Sequence, residues 1–457
     1  MKESSHKDLR TSWINFLSSE GTSRTGCIFL FLCGVIAVGL RVPSLWSEPR
    51  FWEEEGYIFF QQAWNNGAIA GLTKLFAGYL DLSSNCPATL ASFASLELAP
   101  LITTLCALVF QSIPVAIIAF SRAEFWQTPL RKLTGLALII TVPMTSEIWL
   151  NTTTSKVHLA LAVALLLLEA KATYGWGRQL AYAALAFLSG LSSPMPCFLL
   201  PFALLEAYRT RTRLALGVAG GLLLATLIQG VLMVSFPSDK NVSERLRTAI
   251  PAVQIPALAS RCVVLPFAGP QAAYQAGNLM MKASPARNHP QAWLGINAAS
   301  VALITGLGIL LYRNRTENTA ILAGAAVWLA VLSQVTGTAQ VEEFMLFPLW
   351  NIRYYYASIS LLLLALLEQA QPRSRHWMSL VLVCLALLHG TWGYRSFHWR
   401  SDAWPKWRDE VAKWRQDPTH PLMVWPPGKP LRLNPRASTG NLPQVPDTRA
   451  NASPDGR

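Results

Sequence analysis

Charge is scarce in this chain. Only 14% of its 457 residues are Asp, Glu, Lys or Arg, and 52% are hydrophobic, whereas a soluble globular chain carries roughly 25% charged residues. Between Cys27 and Tyr394 no polar stretch is long enough for a large soluble domain. Cysteine is sparse and carries no metal-ligand spacing: of seven residues, Cys27, Cys33, Cys106, Cys197 and Cys384 lie inside apolar stretches, where small buried residues are usual. A disulfide between Cys86 and Cys262 is conceivable, because both fall on one expected outer side. A signal-peptide cleavage pattern is missing after the basic start (Lys2, Lys7, Arg10, Arg24), so the apolar run Cys27 to Leu40 is expected to stay as a first helix. There is no repeat of the kind that marks a two-half transporter. The formal net charge of +13 is scattered in short loops, with no basic face interleaved with aromatics, which excludes nucleic acid as a partner.

What the chain has is a succession of apolar runs near or above the ~17 to 20 residues that span a bilayer. They fall at about 26–43, 99–121, 132–149, 155–171, 179–193, 195–208, 214–236, 291–312, 318–336, 355–371 and 376–394. The expected fold is all-α: a polytopic transmembrane protein of about eleven helices, with its N-terminus inside and its C-terminus outside. That orientation puts Arg122, Arg131, Lys132, Lys171, Arg178, Arg209, Arg211, Arg213, Arg313, Arg315, Arg373 and Arg375 in inner loops, as the positive-inside rule requires. Most acidic groups fall outside, among them Asp81, Glu97, Glu147, Glu342 and Glu343. The divisions are a cytoplasmic N-terminus (1–25), a membrane domain (26–394) with large outer loops at 41–99 and 237–290, an outer helix and hairpin (395–433), and a disordered tail (434–457) rich in Pro, Asn, Ser and Gly.

Long loops in a compact protein concentrate function. In the first of them Phe59, Phe60, Ala63, Trp64, Gly67 and Ala68 share one helical face, opposite Gln61, Gln62, Asn65 and Asn66, the pattern of a helix lying on the membrane surface. The stretch Ile69 to Leu80 is expected to do likewise, and part of 237–290 to dip into the outer leaflet. In the tail, Trp404, Trp407, Val411 and Trp414 recur at spacings of three and four, giving an amphipathic helix with interfacial tryptophans. Pro421 to Trp425 and Leu431 to Leu433 flank a Pro-Pro-Gly-Lys-Pro turn and are expected to pair.

The sharpest local feature is Arg50-Phe51-Trp52-Glu53-Glu54-Glu55-Gly56. Successive helical residues point about 100° apart, so at most two of the three carboxylates aim into one cleft. An arbitrary acidic run is a solvated helix start favoured by the macrodipole. The flanking Phe51, Trp52, Tyr57 and Phe59 point instead to a partly desolvated site, where a carboxylate gains basicity. Glu97, Glu147, Lys156 and His158 are further polar groups beside apolar runs, where ionisable groups face a cavity or a partner. Their plainer reading is an interfacial ion pair, a snorkelling lysine or a hydrogen-bonded histidine. Arg353, in Asn351-Ile352-Arg353-Tyr354-Tyr355-Tyr356, is placed to grip a phosphate or to anchor an aromatic belt. Arg261 is a weaker phosphate candidate.

The layout resembles the GT-C superfamily of polytopic membrane glycosyltransferases, which use polyprenyl-phosphate-linked sugars. More narrowly, the Arg50 to Gly56 run, Gly78-Tyr79-Leu80, Leu96-Glu97-Leu98-Ala99-Pro100, Arg353-Tyr354-Tyr355 and Trp425-Pro426-Pro427-Gly428 resemble a group of bacterial membrane proteins of similar layout. The resemblance covers most of the chain. It implies an inverting glycosyltransferase of the bacterial cytoplasmic (inner) membrane, acting on a lipid-linked sugar donor and a glycan, lipid or protein acceptor, with membrane lipids as surroundings. Carried over, Glu54 is the general base and Glu55 positions the acceptor, or the two exchange these roles, and Arg353 with Tyr354, helped by Lys156 or Arg261, holds the phosphate. Glu53 occupies the group's variable position. No cofactor is implied, and nothing in the sequence supports a divalent metal. Alternatives are a non-enzymatic transporter or flippase, or a polymerase or ligase, of lipid-linked polysaccharide. The orientation is tested by labelling: Arg211→Cys stays unmodified by a membrane-impermeant maleimide in sealed cells while Glu343→Cys reacts, and modification at 211 overturns it.

Overall fold

The computed structural model describes residues 22–236, 251–283, 289–313, 315–337, 351–370, 377–396, 405–426 and 428–436. Glu342, Glu343, Arg373, Arg375, Trp404, residues 1–21 and residues 437–457 lie outside the described residues. The described residues are all-helical apart from one two-stranded hairpin. Among them five helices are long and apolar enough to cross a membrane: Ala99–Phe120, Arg213–Ser235, Pro290–Arg313, Glu317–Thr336 and Trp377–Tyr394.

The other expected spans are shorter as helices, for local reasons. The run 132–149 is helical only over Pro129–Ile140; the chain then turns through Pro143 and Met144, whose φ is 61°. Pro196 and Pro201 divide 195–208 into Pro194–Cys197 and Leu200–Thr210, since proline cannot continue an i→i−4 ladder. Ser155–Leu168 has 14 residues, about 21 Å of rise against roughly 30 Å of hydrocarbon. It is enclosed nevertheless. Ser155–Leu168 and Tyr356–Gln369 are buried on nearly every face at the centre of the main core, which is why both are apolar all round. Around them pack Ala99–Phe120, Glu317–Gly337 and Trp176–Ser192, the last against Arg213–Ser235. That outer helix presents Leu216, Leu223, Leu227, Val231 and Val234 outward, a bare apolar side suited to lipid.

A second, separate core joins the first long loop to the C-terminal segment. Phe51, Phe59, Phe60, Leu96, Trp407, Val411, Leu422, Val424 and Leu431 meet there. The two amphipathic segments therefore cover each other rather than a lipid surface. The Phe51 and Trp407 rings lie edge to face at 5.1 Å, and Trp407 Nε1 donates to Leu96 O at 2.9 Å. The polar face of the Gln61–Asn66 helix is used as well: Arg432 N donates to Gln61 Oε1 at 2.9 Å, Asn65 Nδ2 donates to Arg432 O at 3.0 Å, and Asn434 N donates to Asn65 Oδ1 at 2.8 Å. Leu422 and Leu431 pair antiparallel.

Two further expectations, for Ile69 to Leu80 and for a Cys86–Cys262 disulfide, are corrected. Ile69 to Leu80 is not a second surface helix: it holds the end of the Ala68–Leu72 helix and the hairpin Leu75–Phe76/Tyr79–Leu80, whose turn residues Ala77 and Gly78 both have positive φ. The hairpin is fixed by Gln229, which accepts from Leu80 N and donates to Leu80 O. The described part of 237–290 is helical over Pro251–Ala259 and Leu265–Ala283, broken at Gly269, and packs on the bundle. Cys86 and Cys262 are free thiols. Trp407→Ala removes a large buried side chain and is expected to cost about 3 to 5 kcal/mol; an unchanged unfolding temperature of the purified protein would contradict the two-segment core.

Candidate functional site

The acidic run is held in place by the chain's own tail. Trp425 N donates to Phe51 O at 3.0 Å, the Trp52 and Trp425 rings meet edge to face at 5.2 Å, and the Arg50 guanidinium lies 4.5 Å from the Trp425 ring centroid. Gly56 is required by this contact, because a Cβ there would stand 2.6 Å from Val424 Cγ1. The helix that follows, Glu55–Phe60, is wound as a π-turn, a distortion frequent at functional sites.

The three glutamates then separate by direction. Glu55 is 2% exposed. It accepts from Trp52 N at 3.1 Å, from Thr152 N at 3.0 Å and from the Thr152 hydroxyl. Burial pushes its pKa up and these donors pull it down, burial being the larger effect. With both oxygens bonded to the protein and the side chain buried, Glu55 is held by the fold. Glu53 faces the tail, where a Cβ on Gly428 would come within 2.6 Å of its Oε1. Burial and the neighbouring Glu54 raise its pKa, opposed by Lys429 and Arg353.

Glu54 is different. Its Oε2 is buried and has no hydrogen-bond partner among the described residues. Around it are Glu147, Arg353 and Tyr57, each within its electrostatic reach. Tyr57 is pushed up to about 12 by burial and by Glu54 and Glu53, so its phenol keeps its proton. Arg353 sits in the turn Ile352–Tyr354, which follows Asn351 in the left-handed region at φ 63°, a conformation asparagine tolerates. Its amide donates to Glu147 Oε1 at 3.4 Å, and its guanidinium lies 5.2 Å from the Tyr354 ring centroid. Tyr354, Glu147 and Glu54 hold Arg353 above its ordinary pKa in spite of burial. Among the described residues its guanidinium forms no ion pair within 4.0 Å.

Tyr354 extends the cluster to Lys156, whose ammonium meets Asp81 at 3.3 Å and Tyr79 OH at 3.2 Å. Asp81, fully buried, also accepts from Ser83 Oγ and Ser84 N. The structure thus brings Glu54, Glu147, Arg353, Tyr354 and Lys156 together. It leaves three predicted residues elsewhere. Glu97 pairs with Arg415 at 2.6 Å on the surface; His158 is fully buried, its ring 4.8 Å from Trp149 and 4.7 Å from Tyr356; and Arg261 is buried against Tyr355, 3.4 Å from its hydroxyl. Tyr57, Asp81, Tyr79 and Lys429 join the site without having been singled out for it. The signal for Lys429 was its place in the tail turn, which reads as a loop until the tail is folded back. No group of three or more His, Cys, Asp or Glu among the described residues is arranged to hold a metal ion.

No family model, no curated protein and no solved structure matches the chain. The division of roles between adjacent glutamates is directly testable. Glu55→Gln sets an amide NH2 against donors and is expected to cost about 1 to 3 kcal/mol, seen as a lower unfolding temperature, while Glu54→Gln leaves that temperature unchanged; equal effects would contradict the division.

Proposed function

We propose that the chain crosses the bacterial inner membrane about eleven times, N-in and C-out, and is an inverting glycosyltransferase. It moves a sugar from a polyprenyl-phosphate-linked donor to a cell-envelope glycan, lipid or protein acceptor at the outer face. The observation that carries this reading is the buried Oε2 of Glu54, with no hydrogen-bond partner among the described residues, within electrostatic reach of the Arg353 guanidinium, which forms no ion pair among them. A carboxylate oxygen kept from both water and protein donors is available to a substrate proton, and a nearby fixed cation is available to a substrate anion.

In the step this arrangement favours, the acceptor hydroxyl gives its proton to Glu54 as its oxygen bonds to the anomeric carbon. The bond from that carbon to the phosphate oxygen breaks on the opposite side, and its electron pair leaves with the polyprenyl phosphate. Arg353 meets the charge on the departing phosphate, with Lys156 adding a weaker field because Asp81 already shares its charge. Glu54 returns its proton to water afterwards. Glu147 orients Arg353 through its amide. Glu54→Gln is expected to lower transfer from a polyprenyl-phosphate sugar by about 10²- to 10⁴-fold in reconstituted membranes, with insertion intact; transfer at the wild-type rate would refute the base. Arg353→Ala is expected to weaken donor binding, and unchanged donor affinity would count against its phosphate role.

A further inference from the structure

A cavity of about 900 Å³ lies at the other end of the bundle, its walls including Thr22, Arg24, Arg122, Trp126, Lys132 and Arg178. The Ala99–Phe120 helix spans the distance: Ala99 belongs to the outer core and Phe120 lines the cavity, and its 22 residues rise about 33 Å. The pocket is therefore separate from the acidic site, and its occupancy is independent of the proposed transfer.

Among the described residues four cations line it, and no carboxylate does. Two of them are committed to the helix end. Lys132 Nζ donates to Ala119 O at 2.9 Å and Ser121 O at 3.1 Å, and Arg178 Nη2 donates to Phe120 O at 2.8 Å. They offset the partial negative charge of that C-terminus, roughly half a unit, which leaves most of their charge unbalanced. Of the carboxylates near these cations, Glu169 is fully buried and bonded to the Ser121 and Tyr174 hydroxyls, and Glu124, next to Ala123 in the turn Glu124–Trp126, is exposed and forms no ion pair among the described residues. Arg24 and Arg122 are exposed and form no ion pair among the described residues. A neighbouring cavity shows the contrast: there Lys171 and Arg209 are both paired with Glu317, at 2.7 Å and 2.8 Å. The wall of the larger cavity also holds two polar atoms with no partner among the described residues, Trp126 Nε1 and Thr22 Oγ1. Buried polar atoms are normally satisfied, so Trp126 Nε1, on a side chain 1% exposed, is a donor available to a ligand, whereas Thr22 adjoins residues outside the described ones and carries no weight.

We infer that this cavity binds the phosphate ester of an anionic ligand, either an acidic phospholipid headgroup or a soluble phosphate. Two guanidinium forks without an ion pair among the described residues, that of Arg122 resting 6.0 Å from the Tyr174 ring centroid, suit phosphate oxygens, and basic pockets between membrane helices take acidic headgroups. The test uses the purified full chain in detergent, titrated with dioctanoyl phosphatidylglycerol and, separately, dioctanoyl phosphatidylcholine, with bound lipid read by native mass spectrometry. Phosphatidylglycerol is expected to bind about tenfold more tightly or better, and the double variant Arg24→Ala/Arg122→Ala to lose that preference with its unfolding temperature unchanged, since neither residue caps a helix. Displacement by millimolar inorganic phosphate would assign the site to free phosphate, and persistence of the lipid would assign it to the headgroup; both support the inference. Equal binding of the two lipids, or an unaltered preference in the double variant, would overturn it.

Discussion

Glu55 joins the first long loop to the bend that precedes the Ser155–Leu168 helix, and the placement of the other acidic-site residues follows from that junction. Its carboxylate takes hydrogen bonds from Trp52 on one side and Thr152 on the other. A buried carboxylate without such donors is costly, so the loop is held wherever the donors are. Thr152 is itself set by the bend in which Asn151 accepts from Thr153 and Thr154, at the head of a helix enclosed on almost all sides. Glu54, one residue earlier, is turned about 100° away. It comes to face Glu147, from the same bend, and Arg353, from the turn that opens the other enclosed helix. The reactive geometry thus rests on the two most buried elements of the bundle.

The tail supplies the second constraint. Trp407 reaches back to Leu96 and Trp64 to Asn434, separations of 311 and 370 residues in the chain. Each segment on its own would expose an apolar stripe; together they make a small core. The same closure sets Val424 on Gly56 and Gly428 on Glu53. Lys429 then lies 5.5 Å from the Tyr57 ring centroid. The site is therefore assembled from the two ends of the sequence, with the membrane helices as the frame between them.

The all-helical class and the apolar helices were legible because composition and run length report directly on them. Helices interrupted by proline were read as continuous, since hydropathy persists where the hydrogen-bond ladder does not: 132–149 and 195–208 are the cases. Amphipathic periodicity showed correctly that Trp407, Val411 and Phe60 need an apolar cover. It carries no information on what that cover is, and here it is protein. Within the site, the aromatics around the three glutamates signalled desolvation, and the geometry bears that out for Glu55 most of all. Which glutamate is satisfied and which is left open depends on Thr152, almost a hundred positions away, and no local pattern encodes it. Glu97 and His158 had the same sequence signature as Glu147 and Lys156, and only packing distinguishes them.

The central claim is that Glu54 exchanges a proton with substrate while Glu55 serves the fold, and chemical rescue separates the two most directly. Glu54→Ala and Glu55→Ala would each be reconstituted and assayed for sugar transfer with and without added formate. The account predicts that formate, a small carboxylate able to occupy the vacated space beside Arg353, restores part of the transfer in Glu54→Ala and none in Glu55→Ala. Rescue of Glu55→Ala alone, or wild-type transfer by Glu54→Ala without formate, would contradict it.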